Sequence, residues 1–267
     1  MFGKAKEFIK QGHIYQINYS FQFKYQQKIN LLDVFNTIRK TSPVPYGAFL
    51  NIYGYKVVSN SPELFFKKII LDITTQPIKG TIKRGRSPIH DKTLKDQLIN
   101  STKDFSELIM ITDLERNDLN RICKTNTVNV DSLREVKSFN YLFHTLSNIS
   151  GELKNDYSVK EIMQHLFPGG SITGAPKIRS MEIINHLEPQ PRGPYTGSIG
   201  YVSANNNMTF NIAIRTLYSH QCDILFHAGG AVVSDSKSID EYNECLLKAS
   251  NFLDILEKNT NLIGINK

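Results

Sequence analysis

The 267-residue chain is long enough for a substantial core, and its 40% hydrophobic and 21% charged residues argue against intrinsic disorder. The net charge of +7 favours an anionic partner, but it does not distinguish a nucleic acid from a small polyanionic substrate. The basic residues are scattered, and no nucleic-acid-binding motif is present, so we predict no nucleic-acid partner.

The cysteines and the apolar runs limit the class of protein further. Cys123, Cys222 and Cys245 are odd in number and show no C-x-x-C spacing, which argues against a disulfide framework and a zinc site. No apolar run approaches the roughly 18 residues of a membrane span. The N-terminal segment MFGKAKEFIKQG lacks the apolar region of a signal peptide. We therefore expect a reduced, cytoplasmic protein with no membrane partner.

Hydrophobic periodicity predicts the elements of the first half of the chain. AKEFIKQG is typical of a short helix that Gly12 ends, and residues 14–25 alternate like a half-buried strand. The elements predicted next are a helix at LLDVFNTIRK, strands within GAFLNIYGYKVVSN and LFFKKIILDITTQ, a Pro/Gly-framed turn around Lys79, and a long helix from about Asp91 to Cys123, with or without a break.

The second half continues with mixed elements. They are a strand at TVNVDSLREVK, helices at SVKEIMQHLF and KIRSMEIINHL around the loop PGGSITGAP, three strands within residues 196–230 with a hairpin turn at NNN, and a C-terminal helix. Successive strands joined by short turns indicate antiparallel pairing, with helices covering the sheet. Because no repeat or linker is visible, we predict one α+β domain spanning residues 1–267.

Several charged residues suggest a site, and each has an ordinary alternative. Glu241, Glu244 and Lys248 share one face of the C-terminal helix, either as a solvated face with an i,i+4 pair or as ligand contacts below the glycine-rich HAGG segment. Glu107 is either a surface carboxylate or, with Glu241 and Glu244, part of an oxygen-rich magnesium site. Lys79 is a solvated cation, a phosphate anchor or a nucleophile.

Three further features each have a functional and an ordinary interpretation. The loop FPGGSITGAPK is either a plain turn or an anion-binding loop before a helix, and it does not satisfy the Walker A pattern. His144 is either a packed core residue or a catalytic one. Arg215, in the predicted strand FNIAIRT, is either a strand-edge residue or a carboxylate clamp.

Eight segments, in this order, resemble the chorismate-utilising enzymes. They are SPELFF, PIKGT, ELIMITDLERNDL, FHTLSNISGEL, FPGGSITGAPKIRSMEIINHLEP, YTGSIGYVS, IAIRTL and HAGG. The resemblance extends from about Lys4 to Lys258. It implies two packed, mainly antiparallel sheets forming a sandwich with outer helices, and a Mg²⁺-dependent site between the sheets.

The resemblance also implies roles for individual residues. The implied Mg²⁺ ligands are Glu107 and Glu244, with Glu241 assisting. The implied catalytic residues are the nucleophile Lys79, the general acid Glu63 and His144 near the ring. The implied substrate-binding residues are Gln16, Thr81, Thr173, Gly174, Tyr195, Arg215, Gly229, Gly230 and Lys248, of which Tyr195, Arg215 and Lys248 would hold the enolpyruvyl carboxylate.

Two positions indicate the reaction within the family. Gln16 stands where isochorismate and salicylate synthases carry a lysine, and Lys79 stands where anthranilate synthases usually carry alanine and aminodeoxychorismate synthases carry lysine. The resemblance therefore implies amination of chorismate at C4, for para-aminobenzoate and folate synthesis, through a covalent Lys79 adduct. The alternatives are anthranilate synthase component I and a non-catalytic chorismate-binding subunit.

The resemblance implies partners and a missing segment as well. Ammonia is expected from a separate glutamine amidotransferase subunit. Family members commonly carry a further N-terminal segment, so the chain is expected to be either a naturally short form or an incomplete one.

Overall fold

The computed structural model describes every residue except 27, 28, 140, 141, 222 and 265–267, and the side chains of 258–264 are not described either. Cys222 thus lies outside the described residues, whereas Cys123 and Cys245 are buried free thiols. Within the described part of the chain, no helix is long and apolar enough to span a membrane.

The described residues form helices and strands in mixed order. The helices are α1 (Phe2–Lys10), α2 (Leu31–Thr41), α3 (Pro88–Asn100), α4 (Thr102–Ile122), α5 (Val159–Leu166), α6 (Lys177–Leu187) and α7 (Ser238–Gly264). The strands are β1 (Gln16–Tyr25), β2 (Tyr46–Ile52), β3 (Tyr55–Ser61), β4 (Leu64–Ile69), β5 (Asp72–Gln76), β6 (Ile78–Lys83), β7 (Asn129–Ser138), β8 (Leu142–Glu152), β9 (Gly174–Ala175), β10 (Gly200–Val202), β11 (Met208–Asn211), β12 (Thr216–His220) and β13 (Asp223–Val232).

The chain divides into two compact units, each with one antiparallel sheet. Unit 1 comprises Met1–Pro62, Thr173–Gly197 and the chain from Ala213 onward, and unit 2 comprises Glu63–Ile172 and Ser198–Ile212. The predicted α+β class with two antiparallel sheets is confirmed.

In unit 1 the strand order is β2-β3-β12-β13-β1-β9. The long central pair β1 and β13 runs in register from Ile17 opposite Val232 to Tyr25 opposite Ile224. Helices α2 and α7 contribute apolar side chains to a core with β3, β12 and β13, among them Val34 and Phe252. A second cluster joins α1 and α6 to the end of β1. Burial of these apolar faces is the main driving force that holds the helices on the sheet.

In unit 2 the strand order is β10-β11-β4-β5-β8-β6, and β7 also pairs with β8. β5 and β6 are one run of chain interrupted at Pro77, and they pair with the two halves of β8. Proline cannot donate a backbone hydrogen bond, which explains the interruption. Helix α4 buries one stripe that includes Leu108, Ile111, Leu119 and Ile122.

Most predicted elements are confirmed, with several differences. The long helix, predicted with or without a break, is two helices, because Ser101 ends α3 and its side chain caps α4 by accepting from the Asp104 N–H. β8 was not predicted, and residues 196–230 hold four strands rather than three. Arg215 is not in a strand: it precedes β12 at a φ of +47°.

Candidate active site

Lys79 lies on β6 rather than in the predicted turn, so that prediction is wrong. The pairing with β8 shifts register between Lys79 and Thr81. Gly80, between them, has a φ of +82°, and a Cβ there would lie 2.7 Å from Thr145 Oγ1. The Thr145 hydroxyl donates to the Lys79 carbonyl. An irregularity of this kind redirects a strand's side chains, which explains the glycine after Lys79.

The surroundings of Lys79 bring two predicted catalytic residues together. Lys79 Nζ donates to the carbonyl of Ser171, at 3.1 Å. Glu63 is 3% exposed, and its Oε1 accepts from the backbone N–H of Ile78 at 3.3 Å. The candidate general acid is thus bonded to the residue that precedes the candidate nucleophile. The sequence did not indicate the contacts of Ser171 and Thr145 with Lys79. The buried apolar residues of β8, Phe143, Leu146 and Ile149, are three apart and do not show the alternation typical of a strand.

His144 and Thr81 form the next pair along the same two strands. Thr81 Oγ1 lies 2.8 Å from His144 Nδ1, and the His144 ring is 2% exposed and edge-on to Phe139. Glu107 lies on the buried stripe of α4 and is 7% exposed. The interpretation of Glu107 as an ordinary surface carboxylate is therefore wrong, because its side chain is largely removed from water.

In unit 1, three charged side chains of α7 converge on Gly230. A Cβ at Gly230 would lie 3.4 Å from Glu241 Oε2, 3.5 Å from Lys248 Nζ and 3.6 Å from Glu244 Oε1. Lys248 Nζ also pairs with Glu244 Oε1 at 2.7 Å and donates to the carbonyl of Gly229 at 3.0 Å. The predicted i,i+4 pair is therefore present, and it lies beside the glycine-rich strand end while remaining partly exposed to solvent.

Gln16, Thr173 and Gly174 meet where β1 pairs with β9. Asn18 N–H donates to the Thr173 carbonyl at 2.8 Å. A Cβ at Gly174 would lie 2.3 Å from the Gln16 carbonyl oxygen, so only glycine fits. The Gln16 side chain is fully buried, and neither of its amide atoms has a hydrogen-bond partner among the described residues. Such a group is costly unless it serves a ligand.

Tyr195 and Arg215 lie in irregular segments of unit 1. Tyr195 is 5% exposed, and burial raises the pKa of its hydroxyl to about 12, so it stays a proton donor at neutral pH. The Arg215 carbonyl accepts from Asn60 N–H at 2.9 Å, which fixes the backbone at this bend.

A cavity of about 390 Å³ opens in unit 1 beside Gly230, where the charged side chains of α7 converge. Gly229, Gly230 and Glu241 line it together with aromatic side chains such as Tyr19 and Tyr242. Its volume is in the range of small-molecule sites, which are mostly apolar with a few polar groups.

The three predicted magnesium ligands belong to different units: Glu107 to unit 2, Glu241 and Glu244 to unit 1. Among the described residues, no group of three or more His, Cys, Asp or Glu side chains is arranged to hold a metal ion. Glu241 and Glu244 nevertheless fit Mg²⁺ chemically, since both direct hard carboxylate oxygens at the same point above Gly230. The Mg²⁺ site remains a prediction.

Residues 1–254 match the family described as chorismate binding enzyme. The chain belongs to this family. The match confirms the resemblance, and it covers both units, including every residue singled out above.

Curated relatives within the chorismate-binding enzymes carry two different activities. The chain is 39% identical to aminodeoxychorismate synthase component 1 of Bacillus subtilis, over 92% of this chain and 52% of the relative. It is 37% identical to anthranilate synthase component 1 of Aquifex aeolicus, over 95% of this chain and 51% of the relative. The chain thus spans about half the length of these relatives.

A solved structure supports the same family fold. Anthranilate synthase component I from Streptococcus pneumoniae superposes with a TM-score of 0.84 at 33% identity. The similarity covers 93% of this chain and 55% of that one.

Gly80→Ala should destabilise the protein, because alanine disfavours a φ of +82° and its methyl group would crowd Thr145 Oγ1. We expect the free energy of unfolding to fall by on the order of 2 kcal/mol in a urea titration. Gly54→Ala is the matched control, since Gly54 has a φ of +83° but open space around it. Equal losses in both variants would contradict the crowding at Gly80.

His227 should make unit 1 sensitive to acid. Burial lowers the pKa of His227 to about 4, against the opposing effect of the Glu188 carboxylate. The unfolded chain binds this proton near pH 6.5, so the stabilisation is complete above that pH and is lost as the pH falls towards 4. Between pH 6.5 and 4, the free energy of unfolding should fall by about 3 kcal/mol less in His227→Gln than in the wild type. Parallel urea titrations measure this difference, and identical pH profiles would contradict the prediction.

Proposed function

We propose that the protein aminates chorismate at C4 with ammonia and forms 4-amino-4-deoxychorismate. The observation that carries the proposal is the placement of Lys79, which an irregular, glycine-dependent strand directs towards the Ser171 carbonyl, with Glu63 bonded to the preceding residue. Relatives named for either reaction are similarly identical, so overall identity does not decide between them. A lysine at this position favours amination through a covalent adduct.

The first half of the reaction removes the ring hydroxyl. The neutral amine of Lys79 forms a bond to C2 of chorismate, the two ring double bonds shift towards C4, and the 4-hydroxyl leaves as water with a proton from Glu63. Glu63 is the candidate for this task because it is almost fully buried and accepts from the backbone N–H of Ile78, the residue before Lys79.

The second half restores the enzyme. Ammonia forms a bond to C4, the double bonds return, and the C2–nitrogen bond to Lys79 breaks. Lys79 leaves as its neutral amine, and the proton that the ammonia nitrogen releases returns to Glu63, which lost its proton to the departing hydroxyl. Two easier displacements thus replace one difficult one, which is the usual advantage of covalent catalysis.

Residues of unit 1 would hold the substrate. Tyr195, Arg215 and Lys248 supply hydrogen-bond donors and positive charge for the enolpyruvyl carboxylate. The buried Gln16 amide has no hydrogen-bond partner among the described residues, and it would form hydrogen bonds with the substrate. When bound by the carboxylates of Glu241 and Glu244, which both approach Gly230, Mg²⁺ would neutralise the ring carboxylate. A separate glutamine amidotransferase subunit would supply the ammonia.

Product analysis tests the proposal directly. The purified chain is incubated with chorismate, Mg²⁺ and ammonium at mildly alkaline pH, and the products are separated by liquid chromatography and identified by mass spectrometry. We expect 4-amino-4-deoxychorismate, which retains the enolpyruvyl group. Fluorescent anthranilate would overturn the proposal in favour of anthranilate synthesis, and bound chorismate without turnover would favour a binding subunit.

A further inference from the structure

The loop that carries Tyr195 is held by a buried ion pair that the proposed reaction leaves unexplained. Glu188 and Arg192 form two bonds, from Nε to Oε2 and from Nη2 to Oε1, both at 2.7 Å. The exposed fraction is 5% for the Glu188 side chain and 14% for that of Arg192. Buried pairs of this kind often add little stability over an apolar substitute, so the pair calls for an explanation other than stability alone.

Both partners also bind β1. Glu188 Oε1 accepts from the backbone N–H of Ser20 at 2.8 Å and from its hydroxyl at 2.9 Å. Arg192 Nη2 donates to the carbonyl of Asn18 at 2.7 Å. The loop after α6 is therefore attached to the same strand that carries Gln16.

Two further contacts fix the loop against neighbouring strands. Gly193 has a φ of +59°, and a Cβ there would lie 2.9 Å from the Tyr218 hydroxyl of β12, so the backbone is pressed against that side chain. The Tyr195 ring stacks on His227 of β13, with ring centres 5.3 Å apart and planes 12° apart. The Arg192 guanidinium lies 5.8 Å from the centre of the same Tyr195 ring.

We propose that Glu188 is a positioning residue for Tyr195, acting through Arg192 to hold the tyrosine hydroxyl where it binds the enolpyruvyl carboxylate. The inference rests on the proposed function, which assigns that carboxylate to Tyr195. A purely structural pair would stabilise the loop equally whether or not Tyr195 carries a hydroxyl. A positioning pair loses its effect on binding once the hydroxyl is removed.

A double-mutant cycle separates these two roles. Chorismate affinity is measured by calorimetry with Mg²⁺ and without ammonia, in a Lys79→Ala background that forms no covalent adduct. The four proteins compared are this parent, Glu188→Gln, Tyr195→Phe and the double variant. We expect each single variant to bind about 10-fold more weakly, as for the loss of one charge-assisted hydrogen bond. The double variant should also be only about 10-fold weaker, because the residues act as one unit.

An additive loss of about 100-fold in the double variant, or unchanged affinity in Glu188→Gln, would overturn the positioning role. Glu182→Gln is the matched control, because it breaks the exposed pair between Arg179 and Glu182 on α6. Its affinity should equal that of the parent.

A milder variant covers the case in which Glu188→Gln does not fold. Ser20→Ala removes one hydroxyl bond to Glu188 and leaves the ion pair and the backbone bond in place. It should weaken chorismate binding about 3-fold with Tyr195 present and have no effect in Tyr195→Phe. An equal weakening in both backgrounds would overturn the proposal.

The test of the positioning role can be distinguished from the test of the proposed amination. The binding measurement needs no ammonia, so a wild type that makes anthranilate still reports on Glu188. A wild type that binds no chorismate would overturn both proposals, whereas binding without coupling to Tyr195 would overturn the positioning role alone.

Discussion

Lys79→Ala should abolish formation of 4-amino-4-deoxychorismate and still bind chorismate reversibly. We expect a loss in turnover of at least about 10³-fold, the scale on which removal of a covalent nucleophile acts. Affinity should persist because the proposed substrate-holding residues, such as Tyr195 and Arg215, are on other elements. Product formation is followed by chromatography and affinity by calorimetry.

The control for Lys79→Ala is Lys83→Ala, which removes an exposed cation at the end of the same strand, β6. It should keep wild-type turnover. Mass spectrometry gives an independent readout: wild type incubated with chorismate and Mg²⁺ but no ammonia should gain the mass of chorismate less one water, on Lys79. Unchanged turnover in Lys79→Ala would remove the lysine from the mechanism.

Glu244→Ala should remove the response of activity to Mg²⁺ together with most of the activity. Loss of a residue that hydrogen-bonds to a metal ligand lowers metal affinity or activity about 10–100-fold. Removal of Glu244, a proposed direct ligand, should lower them at least as much. Titration of Mg²⁺ by calorimetry in the presence of chorismate gives a readout that does not depend on turnover.

The competing explanation for Glu244 is its ion pair with Lys248, at 2.7 Å. Lys248→Met breaks that pair without removing a carboxylate, so it should weaken chorismate binding and keep the Mg²⁺ response. Asp240→Asn, an exposed change on the same helix, should alter neither property. A wild-type Mg²⁺ response in Glu244→Ala would exclude it as a ligand.

Local pattern predicted most helices and strands because their apolar periodicity matches the face each one buries. α7 shows this well: Cys245, Ala249, Phe252 and Leu256 recur at helical spacing and are all buried. The break at Ser101 was left open, because the apolar stripe runs past it and only the capping bond ends one helix and starts the next.

Around Lys79 the pattern was misleading for a physical reason. Pro77 and Gly80 are the residues of a turn, yet both lie in or beside strands that pair with β8. Hydrogen bonds to a strand more than 60 residues away in sequence override the local preference, and here they use the glycine for an irregularity rather than a reversal.

Arg215 illustrates the opposite error. Its neighbours alternate like a strand, but the residue occupies a bend at a φ of +47°, where its carbonyl bonds to Asn60. Contacts with another strand decide this backbone conformation, and no pattern within FNIAIRT indicates it.

The sequence by itself determined the family, the α+β class and the identity of the candidate residues, because motifs and periodicity are local properties of the chain. The tertiary structure decided which of those residues share an environment. It bonded Glu63 to the residue before Lys79, directed Glu241, Glu244 and Lys248 towards Gly230, and revealed the Glu188–Arg192 pair next to Tyr195. Such juxtapositions depend on strand pairing and packing between distant segments, which the spacing of residues along the chain does not encode.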